Sequence, residues 1–238
     1  MTASGLRTAL VSGASRGIGL AISQAFVARG IRVAMLARGV EALTTAAESL
    51  GPLALPFVCD ISDAAALDDV VRRVRDNFRE APDVVVNSTG LFKLASAEIV
   101  DADDFARAVD VNLVGPFRLI RAFLPEMRAR KRGHIISIGS IADRVAFPEN
   151  AAYAASKFGL RGLHAVLRAE LVGTGVRATL VSPGAVDTSL WDEVDPDNRP
   201  GFSPRSAMLQ PDAVADAVLF VATQPPNVNI DELRLSRT

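Results

Sequence analysis

The stretch "LVSGASRGIGLAI", residues 10–22, is the part of the sequence that best predicts the fold of this chain. It starts as an apolar strand, ends as an apolar helix, and carries Gly13, Gly17 and Gly19 in the turn between them. Glycines at these spacings let the turn tighten and let the backbone approach a pyrophosphate, which the helix N-terminus then stabilises. Three glycines can also be ordinary turn residues, but a strand before them and a helix after them favour a dinucleotide-binding loop.

The end of the second apolar stretch indicates which dinucleotide is bound. An NAD site normally carries an acidic residue there, about 20 residues after the glycine loop, for the ribose 2′-hydroxyl. This chain reads "MLARGV", with Ala37 and Arg38 and no carboxylate, and Arg16 lies in the glycine loop. Guanidiniums suit a 2′-phosphate, and one charge-assisted hydrogen bond of about 1.5–3 kcal/mol is enough to decide the cofactor. We expect NADP(H) rather than NAD(H); the alternative is that Arg38 is a solvated residue at a helix start.

Short apolar runs and longer helical patterns alternate along the whole chain. The apolar runs lack polar alternation, as strands covered on both faces do, and lie at 8–13, 32–37, 53–58, 83–88, 134–139 and 177–182, with a last apolar stretch at 227–235. The helical patterns lie at 18–29, 41–50, 63–79, 103–130, 152–172 and 212–222. Repeated βα units predict an α/β fold with a parallel sheet, and residues 1–238 suit one domain.

Composition excludes several classes of function. Hydrophobic residues make up 49% of the chain and the net charge is -1, so no basic field indicates a nucleic-acid partner. No apolar run reaches the roughly 18 residues that a membrane span needs, and "MTASGLRTALVSG" lacks the pattern of a signal peptide. Cys59 is the only cysteine, and His134 and His164 show no metal-ligand spacing. We expect a cytoplasmic protein without a metal site and without membrane or nucleic-acid partners.

The least regular segment is 188–210, "TSLWDEVDPDNRPGFSPRSAMLQ". It is longer than an ordinary connection, and such loops are usually functional or disordered. We predict that it forms a lid that covers the substrate and excludes water.

The pentapeptide "YAASK" places the phenol of Tyr153 and the ammonium of Lys157 four residues apart. Residues at this spacing share one face of a helix, which in isolation often means only a lysine and a tyrosine on the surface. A free phenol has a pKa near 10, and a neighbouring cation lowers it. Together with the glycine loop, the pair predicts a proton donor or acceptor for a hydride-transfer reaction.

The motifs of this chain resemble the short-chain dehydrogenase/reductase family. The resemblance covers almost the whole chain, in the family's order, through "SGASRGIG" (12–19), "NSTG" (87–90), Asn112 in "VNLVG", Ser140 in "ISIGSIA", "YAASK" and "SPGAVDT" (182–188). It implies a Rossmann-type doubly wound parallel sheet of about seven strands in the order 3-2-1-4-5-6-7. It also implies a homo-oligomer, a tetramer or dimer, with helices 103–130 and 152–172 at the interfaces. Two departures are mild: Ser88-Thr89 replaces the usual Asn-Ala, and Ser12 replaces the usual Thr.

The same resemblance implies roles for individual residues. Ser140 holds the substrate oxygen, Tyr153 exchanges a proton, Lys157 assists it and binds the nicotinamide ribose, and Asn112 holds a water in a proton relay. The residues implied to bind the cofactor are Gly13, Ser15, Arg16, Gly17, Ile18, Gly19, Arg38, Asp60, Ile61, Asn87, Gly90, Tyr153, Lys157, Pro183, Gly184, Val186 and Thr188.

These observations predict an NADP(H)-dependent oxidoreductase that interconverts a carbonyl and a secondary alcohol. A non-catalytic NADP(H)-binding redox sensor and an epimerase on the same fold are the alternatives. For the substrate, Arg144 or Lys93 could meet a carboxylate, and the tail "NVNIDELRL" resembles the branch with NADP-dependent 3-hydroxy acid and serine dehydrogenases. We expect apolar walls from Ala142, Val145, Phe147, Trp191, Phe202, Met208 and Leu209.

Overall fold

Residues 5–238 are described by a computed structural model, and they form one α/β domain around a seven-stranded parallel sheet. The strands are β1 (Thr8–Ser12), β2 (Arg32–Ala37), β3 (Ala54–Val58), β4 (Val84–Asn87), β5 (Gly133–Ile138), β6 (Val176–Pro183) and β7 (Glu232–Leu235). The helices are α1 (Gly17–Val27), α2 (Val40–Leu50), α3 (Ala64–Phe78), α4 (Ala102–Val109), α5 (Gly115–Ala129), α6 (Ala151–Leu171) and α7 (Pro211–Ala222). The sheet order β3-β2-β1-β4-β5-β6-β7 confirms the predicted fold.

The strands are apolar throughout because each of them faces two cores. In β1, Ala9 and Val11 pack with α1, α2 and α7 on one face of the sheet. Leu10, between them, packs with α3, α5 and α6 on the other face. Successive side chains of a strand point to opposite faces, so helices on both sides require an apolar residue at every position.

The predicted helix 103–130 is helical over nearly its whole length but is not one α-helix. Residues Asp110–Val114 form a π-helical segment between α4 and α5. A π-helical turn is rare and is found mostly at functional sites. Here it contains Asn112, whose amide hydrogen-bonds to the backbone of Leu91 in the loop after β4. The hydrophobic periodicity gave no sign of this interruption.

The strand order reverses between β1 and β4, and this switch point is where open α/β sheets bind ligands. Loops that follow β1, β4, β5 and β6 surround a cavity of about 1060 Å³ at the carboxyl edge of the sheet. Among residues 5–238, no helix combines the length and the apolar character that crossing a bilayer requires.

Candidate active site

The glycine loop forms one end of the cavity, and its backbone is packed against itself. A Cβ on Gly19 would overlap the carbonyl group of Gly13. Gly13 has φ +67, and a Cβ there would lie 3.0 Å from the backbone nitrogen of Thr89. Side chains are therefore excluded from this cradle, and the backbone at the start of α1 stays open to an anionic ligand.

The hydroxyl of Ser12 holds the glycine loop beside the loop after β4. Its Oγ accepts hydrogen bonds from the backbone nitrogens of Ser88, at 3.1 Å, and Thr89, at 3.2 Å. Both bonds involve backbone groups of the two residues that depart from the family pattern, so small side chains at these positions leave the turn intact.

Arg16 and Arg38 line the same end of the cavity. Arg38 Nη1 lies 3.8 Å from Asp60 Oδ2, and both side chains are solvated, so this ion pair is weak. Burial alone would raise the pKa of Asp60, but hydrogen bonds from Ser62 and the charge of Arg38 lower it overall. The guanidinium of Arg38 is thus free to turn towards a stronger anion than the Asp60 carboxylate.

The hydroxyls of Ser140 and Tyr153 meet at the middle of the cavity. Ser140 lies just beyond β5 and Tyr153 lies in the first turn of α6; both side chains line the cavity, and Ser140 is close enough to act on the pKa of Tyr153. The tyrosine ring packs edge-on against Phe92, with ring centroids 4.9 Å apart. Burial raises the pKa of Tyr153, the Ser140 hydrogen bond opposes that rise, and the Asp143 charge adds to it.

Lys157 lies one helical turn after Tyr153, as the spacing predicts, but its effect on Tyr153 differs from the expected one. Its Nζ donates a 2.8 Å hydrogen bond to the Ile138 carbonyl and lies 5.5 Å from the centre of the Tyr153 ring. Burial lowers the pKa of Lys157 from 10.5 to about 8, and the Asp143 charge opposes that change. The expected lowering of the Tyr153 pKa is therefore wrong for this structure, because burial of the phenol dominates and Lys157 is not among the groups that act on this pKa.

A buried carboxylate that the sequence did not single out lies beneath these groups. Asp143 is fully buried, and its Oδ2 accepts hydrogen bonds from the hydroxyl of Ser182, at 2.5 Å, and from the backbone nitrogen of Ser140, at 3.4 Å. Its Oδ1 accepts from Arg144 Nε at 2.7 Å, and Arg144 also pairs with Glu232 on β7. The carboxylate therefore fixes the turn that carries Ser140.

Two residues predicted for the site lie beneath the cavity instead of lining it. The side chain of Asn112 is fully buried. Its Oδ1 accepts a hydrogen bond from the Leu91 nitrogen, and its Nδ2 donates to the Leu91 carbonyl and to the hydroxyl of Ser156, which is 2.9 Å away. Asn87 donates to Ser137 Oγ at 3.2 Å and so joins β4 to β5. The Asn112 side chain therefore positions the backbone of the loop after β4, the Asn87 side chain links β4 to β5, and neither of them lines the cavity.

The other predicted site residues all line the cavity, which brings together segments from across the chain. They are Gly13, Ser15, Arg16, Gly17, Ile18, Gly19, Arg38, Asp60, Ile61, Gly90, Ser140, Tyr153, Lys157, Pro183, Gly184, Val186 and Thr188.

Most of the residues predicted to form apolar substrate walls line the cavity. Five of the predicted apolar residues line the cavity, namely Ala142, Phe147, Trp191, Phe202 and Met208. Val145 points to solvent, and Leu209 packs on the hydrophobic core. Arg144 is engaged by two carboxylates, and Lys93 pairs with Asp104 at 2.5 Å, so neither is placed to bind a substrate carboxylate.

Segment 188–210 leaves the sheet edge and returns to the same point. Leu209 donates to the Ala185 carbonyl at 2.9 Å and accepts from the Asp187 nitrogen at 2.8 Å, which pins the two ends together. Within the loop, Trp191 packs edge-on against Phe92, with ring centroids 5.1 Å apart. The segment thus covers one side of the cavity above Tyr153.

Glu149 is a further residue that the sequence reasoning missed. It has φ +61, a conformation that costs most L-residues about 1 kcal/mol, and it lines the cavity. Its carboxylate pairs with Arg199 of segment 188–210.

A sequence signal for Asp143 did exist, since an acid inside the apolar run "SIADRVAF" needs a buried partner. Glu149 gave no such signal, because glutamate is unremarkable in a loop.

Comparisons with known proteins agree with this geometry. The profile of the family described as "short chain dehydrogenase" matches residues 7–199. D-threitol dehydrogenase from Mycolicibacterium smegmatis is 36% identical over 224 residues, which cover 91% of this chain and 86% of that protein.

Solved structures are also similar over nearly the full length. An alcohol dehydrogenase from the archaeon Thermococcus sibiricus, complexed with 5-hydroxy-NADP, superposes with a TM-score of 0.86 at 30% identity and covers 97% of this chain and 96% of its own. The closed form of a serine dehydrogenase complexed with NADP+ superposes with a TM-score of 0.87 at 30% identity, covering 95% and 93% of the two chains.

Proposed function

The chain belongs to the short-chain dehydrogenase family of oxidoreductases, and from this premise we propose that it uses NADP(H) to interconvert a carbonyl and a secondary alcohol, with Tyr153 as general acid and base. One observation carries the proposal. The side chains of Ser140 and Tyr153 line the same cavity as the glycine cradle, and Lys157 lines it one helical turn after Tyr153.

The residues at the glycine-loop end fit an NADP molecule. The cradle at Gly13 and Gly19 admits no Cβ, which suits a pyrophosphate against bare backbone. Arg16 and Arg38 line the cavity where β2 ends without an acid, and Arg38 is held only by a weak pair with Asp60. We assign the 2′-phosphate to these two guanidiniums, and two of the similar solved structures contain NADP or a derivative of it.

The chemistry of the chain's own residues follows from their pKa values. Because burial raises the pKa of Tyr153 above its usual value of 10.0, the phenol is protonated at neutral pH and suited to donate a proton to a carbonyl oxygen. Ser140 donates or accepts at the same oxygen and stabilises the charge that develops there. Bound NADPH would supply the hydride. Lys157, with a pKa of about 8, is charged at neutral pH and stabilises negative charge on Tyr153 after the proton has left.

We assign the remaining roles by position. Asp60, Ile61, Gly90, Pro183, Gly184, Val186 and Thr188 would contact the cofactor along the cavity. Asn112 would act through the Leu91 backbone that it holds, and Asn87 through its hydrogen bond to the Ser137 hydroxyl. Segment 188–210, pinned at both ends, would serve as the lid over the substrate.

Consumption of NADPH and the Tyr153→Phe variant test the proposed reaction. A carbonyl substrate should oxidise NADPH in a one-to-one ratio with the alcohol formed, which neither a redox sensor nor an epimerase would do. Tyr153→Phe keeps the ring that packs on Phe92 and removes only the hydroxyl. We expect NADPH affinity to stay within about twofold and kcat to fall by at least about 100-fold. A variant that turns over at the wild-type rate would refute the assignment of Tyr153.

A spectroscopic titration measures the pKa of the proposed proton donor, Tyr153. Tyr153 is the only tyrosine of the chain, so tyrosinate absorbance reports on this residue alone. The apparent pKa of the free protein should lie above 10.0. A value below that would mean that the ammonium of Lys157 outweighs burial after all.

We also propose that the enzyme is a cytoplasmic homo-oligomer that assembles through α5 and α6. Phe117 and Val166 are exposed on these helices and border a shallow groove on the outer surface. Exposed apolar side chains on neighbouring helices favour association. Light scattering should give the mass of a dimer or tetramer for the wild type, and a smaller mass for the Phe117→Asp variant; a wild-type monomer would contradict the proposed assembly.

A further inference from the structure

The walls of the cavity beyond Tyr153 are apolar and include a group of aromatic rings that pack edge-on. The Phe92 ring packs on the rings of Tyr153 and Trp191, and the Trp191 ring packs edge-on against Phe202 with centroids 6.1 Å apart. Other apolar residues complete this end of the cavity, namely Leu91, Leu94, Ile141, Ala142, Phe147 and Met208. Large apolar surfaces of this kind stabilise a bound apolar group roughly in proportion to the area that it buries.

The cations near this end are all engaged by carboxylates. Arg144 is paired with Asp143 and Glu232, and Lys93 is paired with Asp104. On the lid, Arg199 pairs with Glu149 and Arg205 pairs with Asp187 and Asp192. None of these four cations lines the cavity.

The cations that do line the cavity belong to the cofactor or to the proton donor. In the part of the chain that the structure describes, they are Arg16, Arg38, Arg107 and Lys157. The charge of Arg107, like that of Arg38, lowers the pKa of Asp60, so both guanidiniums act on the Asp60 side of the cavity. A substrate carboxylate would therefore lose its hydration beyond Tyr153 without meeting a free cation.

Fixed charge at this end is negative. Glu149 lines the cavity and is paired with Arg199; segment 188–210 carries, outside the cavity lining, four carboxylates, Asp192, Glu193, Asp195 and Asp197, against two guanidiniums. This excess opposes the entry of an anion.

Hydrogen-bonding side chains are few at this end. Ser140 and Tyr153 are assigned to the carbonyl oxygen. Beyond them, Asn150 has a buried Oδ1 without a hydrogen-bond partner, and Ser189 and Ser203 add single hydroxyls. A polyol would need a partner for every hydroxyl that it buries, whereas one or two polar groups suffice to orient an apolar molecule.

We propose, on the basis of the proposed function, that the substrate is an uncharged ketone with an aromatic or similarly bulky apolar group, and that the site discriminates against keto acids and polyols. The apolar group lies between Phe92, Trp191 and Phe202, while Ser140 and Tyr153 bind the oxygen. The carboxylate of Glu149 contributes to the rejection of acids.

Matched substrates test the proposal through NADPH oxidation. Ethyl benzoylformate and benzoylformate share a phenyl ketone and differ in charge, as do ethyl acetoacetate and acetoacetate without the ring; erythrulose represents the polyols. We expect kcat/KM to be at least about tenfold higher for each ester than for its acid, and about tenfold higher for the phenyl ester than for the alkyl ester. Erythrulose should be the poorest neutral substrate. A preference for either acid, or for erythrulose, would overturn the proposal.

Two variants locate the discrimination. Trp191→Ala should reduce the ratio of phenyl to alkyl ester to about two, and Phe202→Ala gives the same test if the first variant does not fold. Glu149→Gln should reduce the ratio of ester to acid about threefold, whereas Glu48→Gln, exposed on α2 and outside the cavity, should not change it. Unchanged ratios in all three cavity variants would contradict the proposed binding mode.

The outcome also separates this inference from the function on which it rests. If NADPH is oxidised and acids or erythrulose are preferred, the oxidoreductase assignment stands and the substrate class is wrong. If NADPH binds and none of the five compounds oxidises it, the substrate class is refuted. The oxidoreductase assignment is then judged by a wider carbonyl and alcohol panel with the Tyr153→Phe variant.

Discussion

The two ends of the cavity are built from different materials. The glycine-loop end is backbone, folded so tightly around Gly13 and Gly19 that a methyl group would not fit. The far end is made of side chains, such as Phe92, Trp191 and Phe202, from loops that are distant in the sequence. Backbone can recognise a phosphate chain without any particular side chain, whereas side chains can be exchanged to fit another substrate.

Gly19→Ala should give the largest effect and tests the backbone end. The new Cβ would overlap the Gly13 carbonyl, and only backbone movement can relieve it. We expect the free energy of unfolding to fall by about 2–3 kcal/mol and NADPH affinity to fall at least about 100-fold. Denaturant unfolding and NADPH fluorescence titration measure the two effects.

Gly39→Ala is the matched control for that experiment. Gly39 also lines the cavity, but its Cβ would meet no atom of the chain within 4 Å. Its unfolding free energy should stay within about 0.5 kcal/mol of the wild-type value. Equal losses in the two variants would mean that the close packing at Gly19 is not what matters.

Arg38→Ala tests whether a side chain matters at the backbone end. Losing one charge-assisted hydrogen bond to a phosphate should weaken NADPH binding about 10- to 100-fold and leave NADH binding within about twofold. Arg29→Ala, exposed near the end of α1 and outside the cavity, is the control. An unchanged preference for NADPH in Arg38→Ala would remove Arg38 from the assignment.

Asp143→Asn tests the buried carboxylate that lies beneath Ser140, Tyr153 and Lys157. The Asp143 charge raises the pKa of both Tyr153 and Lys157, so its removal should lower both values. The alkaline limb of the kcat/KM profile should move to lower pH, and kcat/KM at neutral pH should fall about tenfold.

Glu232→Gln is the control for Asp143. It also removes a carboxylate partner of Arg144, but Glu232 is partly exposed and is not among the charges that act on Lys157. Its pH profile should match that of the wild type. A pH profile that moves in neither variant would show that Asp143 only supports the local fold.

Lys157→Met should change the stability less than Gly19→Ala does, and the change should be a gain. A shift of the Lys157 pKa from 10.5 to about 8 corresponds to on the order of 3 kcal/mol of buried-charge cost. The loss of its hydrogen bond to the Ile138 carbonyl offsets part of this, so we expect the variant to be about 1 kcal/mol more stable at pH 7 while losing activity.

The pH dependence of that gain is a further check on Lys157. Below pH 8 the lysine is charged in the folded and in the unfolded chain, so the cost is present in full. As the pH rises from 8 towards 10.5, the folded protein loses the proton first and the cost declines. The advantage of Lys157→Met should therefore shrink over this range in denaturant titrations; a constant advantage would contradict the lowered pKa.

Sequence patterns predicted the parts of the site that depend on local geometry. The glycine turn and the i, i+4 spacing of Tyr153 and Lys157 are properties of short segments, so they were found before any contact was known. Asn87 was expected to contact the cofactor and Asn112 to hold a water of a proton relay, whereas in the structure their amides bond to Ser137 and Leu91. Whether an amide faces a cavity or the backbone behind it depends on packing.

The pattern of the sequence was enough to predict the doubly wound sheet, because helices can cover both faces of a sheet of apolar strands in only a few ways. It also determined the cradle, because only glycine permits such close backbone contact. The tertiary structure alone decided the pKa of Tyr153, the pairing of Arg144 with Asp143 and Glu232, and the aromatic walls. Burial and charge pairing act through space, between residues whose separation along the chain says nothing about their distance in the fold.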